Sequence, residues 1–430
     1  KTKISNIVLC PGVDEETNIP FIYDAEIQIV DNTIVYAGKK ELAPNFDFDE
    51  EIDGKGNLAM PGMINLHTHT PMTLLRSIGG NYNLEDWLNK AIFPREKKLS
   101  NESVAAGTKL GIMEMLRYGT TCYCDMYMFM DAQAKVVESS GMRAALSYGM
   151  TDFNGKCEDF EEGLRFAEAW NNKADGRITT CLAPHSTYLV SEKLLELSAE
   201  YAKKLNIPIH THVSETQTEL ANVLDRFGLT PSQMLDKTGI LDCNVIAAHC
   251  VWLTDEDFYL VSRKNFTVAH NPISNLKLAS GIANSKKMLD MGIPVGLGTD
   301  GVASNNNLNL WEELKAFPLL QKGKHLDPVL ISPAQALKAV GLNGAKALGY
   351  NNLGLIKEGY LADIILVSLN TVNTCPQLDL EQDLIYAMQG SDVLMTMVNG
   401  KVLYKDGQYT KFNTKDVLLE AKEAAKSLSI

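Results

Sequence analysis

Apolar and polar residues alternate over residues 25–37 (AEIQIVDNTIVYA), on both sides of Asp31-Asn32, which is the pattern of a β-hairpin. The same period of two returns near the far end. There 362–367 (ADIILV) reads as a strand, and 395–407 (MTMVNGKVLYKDG) reads as two strands around Asn399-Gly400. The two β-rich ends, 1–58 and 356–430, are expected to fold together as one small β-sandwich, with residues 415–427 as an amphipathic terminal helix. Between them, 59–355 alternates short apolar runs with helix-patterned stretches. Eight runs read as strands: 59–66, 120–124, 144–148, 178–183, 208–211, 245–248, 267–269 and 294–298. One intervening helix, 102–117, is closed by Gly119 as a left-handed cap would close it. Eight β-α units in this length predict an α/β fold, a parallel (β/α)8 barrel of the TIM type carrying the sandwich.

Such barrels hold their chemistry at the C-terminal ends of the strands. Those ends are where the polar residues fall. Strand one ends in His67-Thr68-His69, strand four in His185, strand five in His210-Thr211-His212 with Glu215 three residues on, strand six in His249, strand seven in His270 and strand eight in Asp300. Of the chain's 8 histidines, only His325 lies elsewhere. His67 and His69 are two residues apart, so their side chains leave the strand on one face. Two imidazoles there, joined by His212 and Asp300, make three nitrogens and one carboxylate oxygen. That set suits a borderline divalent metal and leaves a position for water. Glu215 and His249 fall beside it, and a buried carboxylate next to an acidified water is a natural proton carrier. His210 and His270 are expected to support the ligands, His270 by orienting the strand-eight carboxylate.

Composition narrows the picture. Hydrophobic content of 45% and charged content of 22% are those of an ordinary globular protein. A net charge of −13 excludes a general nucleic-acid backbone binder, which needs a basic face. No apolar run reaches the ~20 residues of a membrane span, and residues 1–10 lack a signal-peptide core. The 8 cysteines form no C-x-x-C pair; Cys122 and Cys124 share a strand. They read as reduced, mostly buried thiols of a cytoplasmic protein.

With those residues in place, 61–76 (PGMINLHTHTPMTLLR), 212–216 (HVSET), 247–250 (AAHC), 270–278 (HNPISNLKL) and 297–306 (LGTDGVASNN) resemble the amidohydrolase superfamily. Together with the LRS, EDWL and PREKKL segments between 75 and 99, they are most similar to its 5′-methylthioadenosine/S-adenosylhomocysteine deaminase group. The resemblance spans nearly the whole chain, including the return strand GYLADIILV. It implies one divalent metal per chain, zinc or in some relatives iron, held by His67, His69, His212 and Asp300. His185 stands where a carbamylated lysine would bridge a second metal, so the implied site is mononuclear. It implies hydrolytic deamination: a metal-activated water attacks C6 of the adenine ring, His249 and Asp300 help to activate it, and Glu215 carries a proton to N1. Ammonia and the inosine analogue are the products.

The resemblance also places substrate contacts. Trp87 would cover the thioether or the ring, Glu96 would bind the ribose hydroxyls, and His185 would bond the sugar. Relatives that accept S-adenosylhomocysteine can carry arginine at the end of strand three and in the loop after it. Here strand three ends in Tyr148, and the loop offers only Lys156 among several acids. The order expected is therefore 5′-methylthioadenosine, 5′-deoxyadenosine or adenosine ahead of S-adenosylhomocysteine, with Tyr148 as a substrate contact. The expected partner is a small nucleoside, with no nucleic acid and no membrane; a homo-oligomer is left open. Two alternatives are carried, of which the metal ligands do not exclude the first. One is a deaminase of guanine or cytosine, or a triazine hydrolase, on this scaffold. The other is a barrel that only binds.

Overall fold

The computed structural model describes residues 1–14, 18–80, 82, 86–152 and 154–429. The chain begins with β1 (Thr2–Leu9), β2 (Ile22–Val30), β3 (Thr33–Lys39) and β4 (Glu50–Pro61). The middle supplies β5 (Met63–Thr68), β6 (Thr120–Tyr127), β7 (Arg143–Met150), β8 (Ile178–Thr180), β9 (Ala183–Pro184), β10 (Ile209–Val213), β11 (Val245–His249), β12 (Phe266–His270) and β13 (Val295–Leu297). The end adds β14 (Ile364–Val367), β15 (Val393–Val398), β16 (Lys401–Lys405) and β17 (Gln408–Tyr409), then the helix Thr414–Ser427.

The two ends do join. They form one eight-stranded sheet in the order β17-β16-β15-β14-β4-β1-β2-β3. Ile4, Ile27, Ile34, Ile364 and Met397 from both ends share one buried cluster, so the sheet wraps its own core as a sandwich does. The hairpin turns form where the sequence placed them. Asp31 takes a φ of 54°, and Asn399 and Gly400 take 52° and 73°, the left-handed pair that a tight two-residue hairpin requires.

One boundary differs. The run 59–66 is two strands, not one. Ala59, Met60 and Pro61 pair with Leu366, Ile365 and Ile364 and so belong to the end sheet. Gly62 breaks the run, its amide bonding to the Asp363 carbonyl, and the first barrel strand starts at Met63. The end of β4 from Leu58 to Pro61 and all of β5 are buried, so the apolar pattern carries no polar break between them.

β5-β6-β7-β8 and β10-β11-β12-β13 are two parallel runs. The fourth barrel strand is split into β8 and β9, and it closes one seam: His210 N donates to Leu182 O at 2.9 Å and His212 N to His185 O at 2.9 Å. The other seam joins strands eight and one. Asp300 N donates to His67 O at 2.9 Å, and the Asn65 side chain bonds Thr299 through both its nitrogen and its oxygen. Gly298 lets the strands meet: a Cβ there would lie 2.8 Å from His67 N and 2.5 Å from Asn271 Oδ1. Barrel closure thus brings residues 67 and 300 together.

Barrel and sandwich are tied by a buried ion pair. Arg143 on β7 donates from Nε and Nη2 to both oxygens of Asp363 at 2.9 and 3.0 Å. The helix predicted over 102–117 runs Asn101–Arg117, capped by Ser100 and ended by Gly119 at a φ of 84°. All eight cysteines are free, and only Cys375 is exposed. Among the described residues no helix is long and apolar enough to cross a membrane.

Candidate metal centre and active site

β5 ends with His67 inside the barrel and His69 just beyond it, and β10 carries His212. The ligand atoms of His67, His69 and His212 lie within 4.8 Å of one another, as do those of His67, His249 and Asp300. Nε2 of His67 is 3.5 Å and Nε2 of His69 is 3.3 Å from Asp300 Oδ1. Four ligands arranged tetrahedrally at ~2.0–2.2 Å from a cation would be about 3.3–3.6 Å apart. His67 Nε2 is buried and, among the described residues, has no hydrogen-bond partner, a cost that a cation would remove.

Each imidazole is anchored through its other nitrogen. His69 Nδ1 bonds Met126 O at 2.6 Å, His212 Nδ1 bonds His185 O at 2.8 Å, and His67 Nδ1 bonds His210 Nε2 at 2.8 Å. With those nitrogens protonated, the Nε2 lone pairs converge, which is the arrangement metal-bound histidines show. Burial drives His67 down to about 4 and His212 well below the usual histidine range, so the rings are neutral, as ligands must be. The donor set fits a divalent cation.

Asp300 is aimed by three groups. Ser274 and Ser304 donate to Oδ2 at 2.6 and 2.8 Å, and Gly301 N donates to Oδ1 at 2.7 Å. Its backbone is left-handed (φ 61°), as is that of His249 (φ 74°); such strain of ~1–3 kcal/mol clusters where geometry is dictated by function. His270 does not take the orienting role expected of it. Neither of its ring nitrogens has a partner among the described residues, and it packs on Phe317 with centroids 5.7 Å apart. The serines, one helical turn beyond their strands, do that work.

Glu215 follows β10 and is buried. Its Oε2 lies 3.7 Å from His249 Nε2, and Ser280 donates to Oε1 at 3.3 Å. Burial raises its pKa. The loop is held by Glu219, whose carboxylate accepts the amides of Ser214 and Glu215 at 3.1 and 2.7 Å. His249 is shifted upward: burial opposes its charge, and the carboxylates of Glu215 and Asp300 outweigh that. Its Nδ1 bonds Asn275 Oδ1 at 2.8 Å, which turns Nε2 toward the cluster.

A cavity of about 560 Å³ opens from the cluster, within the ~300–1,000 Å³ of small-molecule sites. His69, His212, Glu215, His249 and Asp300 form its floor. Trp87, Glu96 and His185 line it. Trp87 is buried on the short helical segment Trp87–Ile92, its indole donating to Ile78 O at 3.3 Å. The pKa of Glu96 is raised by burial, with Tyr127 and His69 nearby as opposing influences. The His185 ring lies on His212 at 4.4 Å. Met72, Leu88, Phe93, Met126, Met128 and Leu278 give the walls an apolar character.

Tyr148 is not among the lining residues. Gly149 and Thr151 line the cavity instead, and the half-buried Tyr148 ring packs against the two hydrophobic clusters outside the lumen, near Asp159 and Glu162. The strand period of two accounts for this: the residue that ends β7's inward face is 149, not 148. Lys156 is exposed beside Glu158, at 4.0 Å. The lysine that lines the cavity is Lys97.

A histidine–aspartate cradle at the C-terminal mouth of a (β/α)8 barrel, beside a pocket, defines a metal-site barrel enzyme. Residues 58–403 match the model of the Amidohydrolase family, and the chain belongs to that family. It is 43% identical over 429 residues to the 5-methylthioadenosine/S-adenosylhomocysteine deaminase of Halothermothrix orenii, covering 99% of each chain. It is 44% identical over 383 residues to the 5′-deoxyadenosine deaminase of Methanosarcina mazei, covering 88% of each. Its fold is similar to the crystal structure of an adenosine deaminase from Xanthomonas campestris with bound zinc, with a TM-score of 0.94 and 31% identity over 99% of this chain and 98% of that one.

Proposed function

We propose that this protein hydrolytically deaminates the adenine ring of adenosine-type nucleosides, giving the inosine analogue and ammonia. The observation that carries the reading is the position of Glu215: a buried carboxyl that lines a nucleoside-sized cavity and lies 3.7 Å from His249 beside the ligand cluster. The names of the relatives at 43–44% identity point to the same reaction.

In this reading His67, His69, His212 and Asp300 hold one divalent cation, and zinc is our choice because the similar adenosine deaminase carries it. Bound there, the cation supplies Lewis acidity and lowers the pKa of a water. The protein's own groups handle the protons. Glu215, whose pKa burial raises, delivers a proton to N1 of the ring and relieves the charge that builds there. Asp300, with His249 beside it, would take one proton of the attacking water and pass it to the departing C6 amine, which leaves as ammonia; the second proton, from the new C6 hydroxyl, would return to Glu215. Trp87 covers the substrate, Glu96 accepts from the ribose hydroxyls, and His185 bonds the sugar. The methionine- and leucine-rich walls suit a 5′-methylthio or 5′-deoxy group more than a hydroxyl.

The test is ammonia release by the zinc-loaded protein over 5′-methylthioadenosine, 5′-deoxyadenosine, adenosine, S-adenosylhomocysteine, guanine, cytosine and a chlorotriazine. Turnover of the nucleosides supports the proposal; turnover of free bases or triazines alone overturns it.

A further inference from the structure

Three imidazoles face the cation site, and the groups behind them differ in kind. His69 and His212 are held by backbone carbonyls, those of Met126 and His185. His67 is held by another imidazole: its Nδ1 lies 2.8 Å from His210 Nε2. His210 Nδ1 lies in turn 3.4 Å from the sulfur of Cys124 on β6. All three side chains are fully buried.

Two neutral imidazoles can share that hydrogen bond in either direction. If His210 donates, the remaining proton of His67 sits on Nε2, aimed at Asp300, and that nitrogen has no lone pair for a cation. If His67 donates, Nε2 is a ligand, and the proton of His210 must sit on Nδ1. There the only acceptor within reach among the described residues is Cys124 Sγ. We infer that His210 is a positioning residue, which holds His67 in the Nδ1–H form that a cation needs, with the Cys124 sulfur accepting at the end of the line. The inference rests on the divalent-cation reading above. It also accounts for a polar pair set in otherwise apolar surroundings, since Cys124 lies in the cluster of Ile64, Leu66 and Ile246 that fills the barrel beneath the site. Of the three anchors it is the one made by a side chain, and so the one a substitution can remove.

Glutamine at 210 can place its amide oxygen about where Nε2 stands, and phenylalanine fills the space without an acceptor. Metal-stripped wild type, His210→Gln and His210→Phe are titrated with zinc against a chromophoric chelator, and thermal unfolding without metal checks each fold. We expect His210→Phe to bind zinc ~10–100-fold more weakly, the usual cost of losing the group behind a ligand histidine, and His210→Gln to stay within a few-fold of wild type. Equal affinity in His210→Phe and wild type, or an equal loss in both variants, overturns the inference alone. Wild type that binds no zinc overturns the cation reading with it. Nitrogen-15 spectra of histidine-labelled, zinc-loaded wild type decide the matter without any variant: protons on Nδ1 of both His67 and His210 are expected, and a proton on Nε2 of either contradicts it.

Discussion

The carboxyl of Glu215 lies 3.7 Å from Nε2 of His249, and both groups border the same cavity floor. In the proposed site neither is required to hold the cation, because His67, His69, His212 and Asp300 would supply four ligands. Chemistry and metal binding are therefore separable by mutation. Glu215→Gln keeps the shape and the Ser280 contact but cannot carry a proton. We expect full metal content with kcat reduced ~10²–10⁴-fold. Metal analysis and steady-state kinetics on one preparation check this; unchanged turnover would remove Glu215 from the mechanism.

His69→Ala should do the reverse. It deletes one of the converging nitrogens, and Met126 O loses its donor. The expected result is a folded protein that loses its metal on dialysis against a chelator while wild type keeps it. Full metal occupancy in the variant would show that His69 is not a ligand.

The substrate contacts divide along the cavity wall. Glu96→Gln should raise KM for nucleosides more than it lowers kcat, since ribose contacts are made before and during the reaction alike. Tyr148→Phe should leave kcat/KM within about twofold, because the ring lies outside the lining residues. A loss with Tyr148→Phe as large as that with Glu96→Gln would restore Tyr148 as a contact.

In the proposed function Lys97, which lines the cavity while Lys156 stands exposed beside Glu158, would meet an acid-bearing 5′ substituent such as that of S-adenosylhomocysteine. Lys97→Ala should lower kcat/KM for S-adenosylhomocysteine by no more than about fivefold, the scale of an exposed ion pair of ~0–1 kcal/mol, and leave 5′-methylthioadenosine unchanged. Equal effects on both substrates would argue against a charge contact.

Asp363→Ala should cost stability rather than chemistry. It strands the buried Arg143 guanidinium, and removing one partner of such a pair costs ~3–5 kcal/mol. Denaturant unfolding measures it. A change below ~1 kcal/mol would mean that the pair carries no net weight.

Much of the site was legible because barrel topology turns strand ends into neighbours. Once His67 and His69 were put at the end of strand one, His212, His249 and Asp300 had to fall beside them, and the closure bond from Asp300 N to His67 O is the physical form of that rule. The supports were not legible. Ser274, Asn275 and Ser280 act across elements and Ser304 on the carboxylate four residues before it, and nothing in a local pattern tells a serine that caps a helix from one that bonds a carboxylate. His270 shared the pattern of the ligands and took none of their work. The strand-one boundary failed for a related reason: Leu58 to Leu66 is buried in both the sandwich and the barrel, so hydrophobic periodicity does not register where one ends. Tyr148 was misplaced by a single residue at the end of β7, enough to turn its side chain out of the lumen.

The central claim is that water replaces the exocyclic amine of an adenosine-type nucleoside. Turnover of 5′-methylthioadenosine by the zinc-loaded protein in oxygen-18 water tests it most directly. One oxygen-18 per product, located on C6, with one ammonia released per turnover, is the expected result. Absence of ammonia from every nucleoside offered, or product labelled anywhere other than C6, would contradict it.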